Sequence, residues 1–454
     1  MKILIVGAGE VGFHIASRLA TENKDVVVID KDPRALKRVS EQLDVQVFEG
    51  SGSSPEVLKE AGISQCDILL AVTDSDETNL VSCLVCDLLS PATRKLIRIR
   101  DSDYTDFTDR LKADPPHIDT VINPEVELVH TVQRLLAVPG AEDVAEFADG
   151  AIKLIGVRLD ERSALASIRL TSIRDVTGEF HLLIAAIVRD EELIIPTGRD
   201  SLLPGDLVYF VTDQANLHTA LKLFGKESRS VKRAFIVGGG RIGLRLAKAL
   251  EKDSVYVKIV EEDAQRCSVL ADTLNNVVVL HGDGTDQGLL AEENIEDMDV
   301  VITVTGDEET NILTSLLAKR MGVPIAITRI NKFGYFPLTA AIGIEHVISS
   351  RLSAINTILG HVRRGKVLSS VSLKGERAEV LEAEAMETAD IVGKPLKNIS
   401  FPKGSLVISI IRDSQVIIPR GDSVIQPADR IILLCSQQAI PKIEKALAVK
   451  LEFF

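Results

Sequence analysis

The chain carries one glycine-rich phrase twice. Val6-Gly7-Ala8-Gly9-Glu10-Val11-Gly12 stands near its start, and Val237-Gly238-Gly239-Gly240-Arg241-Ile242-Gly243 stands in its second half. Each phrase follows a short apolar run. Each is followed at the same interval by an acidic residue, Asp30 in the first copy and Glu261 in the second. A single G-x-G-x-x-G is a weak signal, because many tight turns use glycine. Two copies in matched context restrict the chain to two strand–turn–helix units of the kind that binds a pyrophosphate.

Composition agrees with that restriction. The 454 residues are enough for several domains. Hydrophobic residues make up 45%, aromatics only 4%, and tryptophan is absent. The cores must therefore be aliphatic, as in strands buried on both faces of a parallel sheet. The formal charge of −14 opposes nucleic acid or anionic lipid as a general partner. The basic run Arg363-Arg364-Gly365-Lys366 reads as a solvated loop. Met1-Lys2 leads straight into an apolar strand, which leaves no room for a secretory signal. The longest apolar run, near Leu182 to Val188, is too short to span a bilayer. A cytoplasmic protein is expected. The five cysteines fit a reducing compartment. Cys83-x-x-Cys86 lies inside an apolar helical pattern from Leu80 to Leu89 and reads as helix packing.

The first half alternates strands and helices. Strands are expected at Ile3 to Val6, Val26 to Ile29, Val45 to Phe48, Ile68 to Thr73, Leu96 to Arg100 and Val121-Ile122. A helix follows the glycine phrase from Val11 to about Thr21. Asp32-Pro33 and Asn123-Pro124 are cap-and-proline starts of two more, the second over Glu125 to Leu136. The second half repeats the strands at Phe235 to Val237, Val255 to Val260, Val277 to Leu280, Val300 to Thr305, Ile325 to Arg329 and Val347-Ile348. A helix from Arg351 to His361 closes it. Thr73-Asp74-Ser75-Asp76-Glu77-Thr78-Asn79 pairs with Thr305-Gly306-Asp307-Glu308-Glu309-Thr310-Asn311, and Asp76 to Asn79 reads as a capped helix start. Gly50-Ser51-Gly52 pairs with Gly282-Asp283-Gly284, and Arg98 with Arg329.

Each unit is followed by a smaller segment of β-branched runs and Pro/Gly turns. Ile194-Ile195-Pro196-Thr197-Gly198 in one aligns with Ile417-Ile418-Pro419-Arg420-Gly421 in the other. The expected fold is α/β. Two Rossmann-like doubly wound parallel-sheet domains, 1–139 and 231–360, are each followed by a small β-rich α+β domain, 140–225 and 366–454. A mixed-charge stretch from Lys222 to Lys232 links the halves.

In each unit the free N–H groups at the helix start and the helix dipole attract a pyrophosphate. The loop is Gly7, Ala8, Gly9, Glu10 and Val11 in the first copy, and Gly238, Gly239, Gly240, Arg241 and Ile242 in the second. The first glycine allows the turn, the second lets backbone approach the phosphates, and the third (Gly12 or Gly243) lets helix and strand pack closely. Asp30 and Glu261 end the second strand, where a carboxylate accepts ribose hydroxyls and repels a 2′-phosphate. That favours NAD(H) over NADP(H). Thr73 and Asp74, like Thr305 and Gly306, follow the fourth strand, beneath the nicotinamide-side ribose or the phosphates. Arg98 and Arg329 are placed to reach a phosphate, another subunit or a structural ion pair. Ser51 and Asp283 are candidate adenine contacts. The copies differ at Asp30 and Glu261, Ser51 and Asp283, and Asp74 and Gly306, so their ligands need not be the same.

Hydride-transfer enzymes usually place a His or Lys acid–base group beside the nicotinamide. Of the eight histidines only His281 falls near a loop of the presumed sites, and His14 follows the glycine turn on the helix. No Gly-Lys-Ser/Thr phosphate loop is present. These observations weigh against the alternative, an NAD-dependent oxidoreductase with two Rossmann domains. An orphan nucleotide-binding scaffold is the plainest third reading.

The ordered motifs cover essentially the whole chain. They comprise both glycine phrases, Val72-Thr73-x-x-Asp76-Glu77-Thr78-Asn79 with its copy, Arg98-Ile99-Arg100-Asp101, Ile195-Pro196, and Ile418-Pro419-Arg420-Gly421-Asp422 with Pro427-x-Asp429. This set resembles the tandem-module RCK family (regulators of potassium conductance), the peripheral subunits of Trk-type potassium-uptake systems. The resemblance implies a non-enzymatic role. It implies NAD(H), or ATP and ADP in one or both sites, and a homo-oligomeric ring, typically a tetramer. That ring attaches to the cytoplasmic face of a membrane potassium channel and gates it. The resemblance also matches the helices at Glu125 to Leu136 and Arg351 to His361 to crossover helices that join lobes between subunits.

Overall fold

Each glycine phrase leaves the end of a central strand in a six-stranded parallel sheet. The computed structural model describes residues 1–101, 104, 107–178, 182–190, 192–213, 215–226, 230–362, 367–373, 378–413 and 415–447. The basic run at 363–366, three residues of the charged linker (227–229) and the first residue of the last expected domain lie outside them. The chain divides into two compact bodies, Met1–Glu127 with Arg351–Ser370, and Leu128–Ser350 with Val371–Phe454.

In the first body the strands are β1 (Lys2–Val6), β2 (Asp25–Asp30), β3 (Gln46–Glu49), β4 (Ile68–Ala71), β5 (Arg94–Arg98) and β6 (Thr120–Ile122). Their order is β3-β2-β1-β4-β5-β6, the doubly wound arrangement whose direction reverses between β1 and β4. Ile3 pairs with both Val26 and Ile68, so the chain leaves β1 at the switch point. The helices are α1 (Glu10–Thr21), α2 (Pro33–Gln42), α3 (Pro55–Glu60), α4 (Asp76–Leu89), α5 (Thr108–Ala113) and α6 (Pro124–Ala137). The aliphatic runs of β1, β2 and β4 are buried on both faces, as a parallel sheet requires.

Two strands end earlier than their apolar runs suggest. β4 stops at Ala71 instead of Thr73, and β5 stops at Arg98 instead of Arg100. Side chains of α4 take the next backbone donors. Asn79 Oδ1 accepts from Thr73 N, and Asp76 Oδ2 accepts from Arg100 N and Asp101 N.

The second body begins its own elements with an antiparallel sheet of β7 (Asp143–Phe147), β8 (Ile152–Arg158), β9 (Leu183–Arg189), β10 (Glu192–Ile194) and β11 (Leu207–Asp213), in the order β10-β9-β11-β8-β7. Helices α7 (Ile173–Thr177) and α8 (Leu217–Leu223) accompany it, and α8 occupies the start of the expected linker. A second parallel sheet follows, ordered β14-β13-β12-β15-β16-β17, from β12 (Arg233–Val237), β13 (Tyr256–Glu261), β14 (Val277–His281), β15 (Val300–Thr303), β16 (Ile325–Arg329) and β17 (His346–Ile348). Its helices are α9 (Arg241–Lys252), α10 (Ala264–Thr273), α11 (Gln287–Glu292), α12 (Glu308–Arg320), α13 (Phe336–Ala341) and α14 (Ser350–Val362). The chain ends in β18 (Val367–Ser372), β19 (Ala378–Glu384), β20 (Ser405–Arg412), β21 (Gln415–Ile417), β22 (Arg430–Ser436) and α15 (Ile440–Leu447), with sheet order β18-β19-β22-β20-β21.

The duplication extends to small irregularities. A register shift interrupts β11 against β9 at Tyr209/Phe210, and another interrupts β20 against β22 at Val407/Ser409. Arg189 forks onto the buried carboxylate of Asp206, and Arg412 repeats this on Asp429. The two antiparallel sheets share one aliphatic core, with Phe147, Leu154 and Tyr209 beside Val380, Ile408 and Ile432.

Helices α6 and α14 each leave the sheet that precedes them. Leu128, Val129, Val132 and Leu135 of α6 join a core with Ile236, Ile242 and Leu246 of the second parallel-sheet lobe. From Arg351 onward α14 belongs to the body of the first sheet, where Arg94 Nη2 donates to the His361 carbonyl at 3.3 Å.

Candidate nucleotide-binding sites

The three glycines of each phrase have separable roles. Gly7 has φ +113 and Gly238 has φ +106, values that side chains other than glycine rarely adopt. A Cβ on Gly12 would lie 1.8 Å from the Gly7 carbonyl oxygen, and one on Gly243 would lie 1.9 Å from that of Gly238. Those positions are demanded by the fold. The middle glycines are different. Gly9 (φ −62, ψ −174) and Gly240 (φ −62, ψ −168) have ordinary backbone angles, and a Cβ on either meets nothing within 4 Å. Neither conformation nor packing requires glycine there. The backbone at each is open to close approach.

The helix starts carry the same message. α2, α4, α10, α11 and α12 are capped by the side chains of Asp32, Ser75, Asp263, Asp286 and Asp307. α1 and α9 have Gly9 and Gly240 at the cap and no side-chain acceptor. Their first N–H groups point out of the turn at the positive end of the helix dipole, an arrangement suited to phosphate.

Asp30 and Glu261 each hold backbone of their own lobe. Ala8 N donates to Asp30 Oδ2 at 2.5 Å and Asp32 N to Asp30 Oδ1 at 2.9 Å. In the second lobe Gly239 N donates to Glu261 Oε2 at 2.6 Å and Asp263 N to Glu261 Oε1 at 3.0 Å. Each carboxylate clamps its glycine loop and keeps lone pairs for hydroxyl donors. Asp32 and Asp263 serve as helix caps, as their positions suggest.

The loop after the fourth strand is held by a residue that sequence reasoning left as part of a helix start. Asn79 is 0% exposed. Its Oδ1 accepts from Thr73 N at 2.9 Å and Thr73 Oγ1 at 2.7 Å, and its Nδ2 donates to the carbonyls of Thr73 at 3.2 Å and Arg98 at 2.9 Å. Asn311 repeats all four bonds on Thr305 and Arg329, at 2.9, 2.8, 3.2 and 3.1 Å. Glu308 likewise repeats Asp76 by accepting from Asn331 N and Lys332 N. The signal was the copied Thr-x-x-x-x-x-Asn spacing, whose meaning appears only when β5 lies beside α4.

The remaining predicted residues fall into place around these loops. Arg98 Nη1 donates to the Thr73 carbonyl at 3.2 Å and Arg329 Nη1 to the Thr305 carbonyl at 2.9 Å. This contact, in place of the ion pair considered for Arg98, fixes the guanidinium beneath the loop. Burial pushes the Arg98 pKa down to about 10, which leaves it charged at neutral pH. Asp74 gives its carbonyl to Arg100 Nη2, while a Cβ on Gly306 would meet nothing within 4 Å. Glu10 is engaged by Arg38 Nη1 at 2.6 Å, which holds its carboxyl below the ordinary range, and Arg38 stacks over Phe13. At the matching place Arg241 is an exposed cation. Val11 and Ile242 are buried, so each offers the site only its backbone. Ser51 Oγ bonds Ser53 Oγ at 2.8 Å, and Asp283 Oδ1 accepts from Thr285 N and Oγ1. His14 lies 3.8 Å from Glu10, and His281 Nε2 is 3.1 Å from the Glu262 carbonyl.

Comparison with known proteins identifies the domains. The TrkA-N domain model matches residues 3–124 and 234–350, and the TrkA-C domain model matches 154–225 and 380–448. The chain is 38% identical over 458 residues to the Trk system potassium uptake protein TrkA of Azorhizobium caulinodans, covering 100% of both. It is 36% identical over 452 residues to a TrkA homolog of Methanosarcina mazei, with 98% of this chain and 99% of the relative covered. Among solved structures, the GsuK RCK domain superposes with a TM-score of 0.59 at 20% identity, over 98% of this chain and 94% of that one. The GsuK channel bound to NAD gives 0.59 at 19% identity, over 98% and 78%. At such identities these structures speak to the fold.

Proposed function

Because the chain belongs to the TrkA family of Trk-system potassium uptake proteins, we propose that it is a peripheral regulatory subunit that senses nucleotides and gates a membrane potassium transporter. Its two sites take NAD(H) or an adenine nucleotide such as ADP or ATP. The observation that carries this reading is the pair of middle glycines, Gly9 and Gly240, which the fold does not need and a phosphate-bearing ligand does.

In this reading the nucleotide is a signal and is not consumed. A ligand shifts the equilibrium between two states only by its difference in affinity for them. Coupling of this kind is typically about 1–3 kcal/mol. Helices α6 and α14, which the family pattern matches to crossover helices, are the elements expected to carry such coupling. No helix among the described residues is long and apolar enough to cross a membrane. In this reading the chain attaches through a membrane partner subunit, on its cytoplasmic side.

Assembly into a homo-oligomeric ring, a tetramer by the family pattern, finds support on α4. Val81, Leu84 and Leu88 are 42%, 41% and 76% exposed at helical spacing, an apolar stripe of the sort that marks a protein contact. Leu88→Glu is expected to lower the mass measured by light scattering while NADH binding persists. An unchanged mass would remove α4 from the assembly surface.

Calorimetry tests the sites themselves. The intact chain is expected to show two nucleotide-binding events, one lost in Gly9→Ala and the other in Gly240→Ala. Both events surviving in both variants would contradict the assignment.

A further inference from the structure

The far end of α4 is tied down by different chemistry from its copy α12. In the last turn of α4, Asp87 stands between two cations with 12% of its side chain exposed. Its Oδ1 is 3.0 Å from the ammonium of Lys95, a side chain that is 2% exposed. Lys95 Nζ also donates to the carbonyls of Pro91 at 3.3 Å and Thr93 at 3.1 Å, so its three donors are all in use. Asp87 Oδ2 is 3.1 Å from Nδ1 of His117, which lies in the turn between α5 and β6 and is 53% exposed. A carboxylate oxygen only accepts, so Nδ1 carries the proton of this bond. Burial opposes the charge on Asp87, but the bonds from Lys95 and His117 prevail and hold its carboxyl below the ordinary range. The acidic neighbours are turned to backbone. Asp119 Oδ2 accepts from Lys95 N at 2.7 Å, and Asp114 gives its carbonyl to His117 N at 2.9 Å.

The second lobe closes the same corner without a histidine. Ile118 N donates to the Leu111 carbonyl at 2.7 Å and Ile344 N to the Thr339 carbonyl at 2.9 Å, which sets Gly343 in the place of His117. Both residues have left-handed backbone, with φ +48 at His117 and φ +82 at Gly343. Glycine adopts that conformation freely, whereas a histidine is strained in it. Lys319 takes the place of Asp87, and Ala326 that of Lys95. Lys319 Nζ donates to the Gly343 carbonyl at 2.8 Å and lies 3.6 Å from the Glu345 carboxylate. A left-handed histidine in one lobe, aimed at a carboxylate, therefore faces a plain glycine in the other. Histidine is the side chain whose charge changes between about pH 5 and 8.

We propose that His117 and Asp87 form a proton-operated latch that fastens the end of α4 to the α5–β6 turn in the first lobe alone. With a neutral ring, one N–H holds the carboxylate. A second proton makes the imidazolium, and the same bond becomes charge-assisted. Acid therefore tightens the latch, and the added hold is lost as pH rises through the histidine range. α4 starts at the loop clamped by Asn79 and ends at the latch, so a proton acts on the helix that also carries that loop. The latch itself does not depend on nucleotide binding.

Hydrogen exchange on the intact chain, at about pH 5.5 and about pH 8 and corrected for the intrinsic pH dependence of exchange, tests this. Ile118 N–H reports the latched turn, and Ile344 N–H is the matched control in the second lobe. Protection at Ile118 is expected to be about threefold greater at the lower pH, the size suited to a half-exposed ion pair, with no such change at Ile344. His117→Gly, the residue of the second lobe, should abolish the difference. His117→Asn, which tolerates left-handed backbone and does not titrate, should do the same, and it stands in if glycine loosens the turn at every pH. Protection at Ile118 that ignores pH in the parent, or a pH response that survives both substitutions, overturns the proposal. An equal response at Ile344 overturns it too, since the effect would then belong to the whole chain.

Discussion

Gly9→Ala is expected to lower the melting temperature by no more than a few degrees and to weaken nucleotide binding at the first site tenfold or more, whereas Gly12→Ala should prevent normal folding. The two glycines stand three residues apart in one motif, yet their surroundings are opposite. A methyl group on Gly9 enters open space at an ordinary φ, and replacing a glycine cap by alanine costs only about 0.5–1 kcal/mol. The same methyl group on Gly12 would sit 1.8 Å from the Gly7 carbonyl oxygen, so helix and turn must separate, at about 3 kcal/mol or more. Thermal melts paired with NADH titration check both halves. A Gly9→Ala protein that melts early, or that binds as the parent does, would refute the division of roles.

Asn79→Asp is the second large effect. Here Oδ1 can still accept from Thr73, but Nδ2 becomes an oxygen facing the carbonyls of Thr73 and Arg98 in a fully buried position. Two donors are lost and a buried negative charge is pressed against two acceptors. The expected cost is about 3 kcal/mol, with loss of the first site because Thr73 is no longer held under it. Asn311→Asp should do the same to the second site and spare the first. Urea unfolding measures the stability, and hydrogen exchange at Thr73 and Thr305 locates the damage. Faster exchange at both loops from either substitution would show that the clamps are not independent.

The sheet order and the duplication were legible because they depend on repeated local patterns. Aliphatic runs, glycine phrases and cap-proline starts recur in one order, and β-α-β connections leave few ways to arrange them. The glycine turns between strand and helix were legible for the same reason. The clamps were not. Asn79 looks like one more polar residue at the start of α4, and its meaning depends on β5 delivering the Arg98 carbonyl beside it. The second duty of Asp30, holding Ala8 N, depends on the register that sets Val6 opposite Ile29. The ends of β4 and β5 were placed too late because apolar character continues past the point where Asn79 and Asp76 capture the backbone. The destination of α14 was hidden as well. Its apolar residues show that it packs, but only the folded chain shows residues from Arg351 onward with the first sheet.

Potassium flux tests the central claim most directly. Vesicles holding a Trk-type membrane subunit, with this chain added, are expected to change their potassium uptake when NADH or ADP is supplied. The Gly9→Ala, Gly240→Ala double variant should still associate with the vesicles and lose that nucleotide response. Uptake that is the same in every nucleotide state would contradict the account.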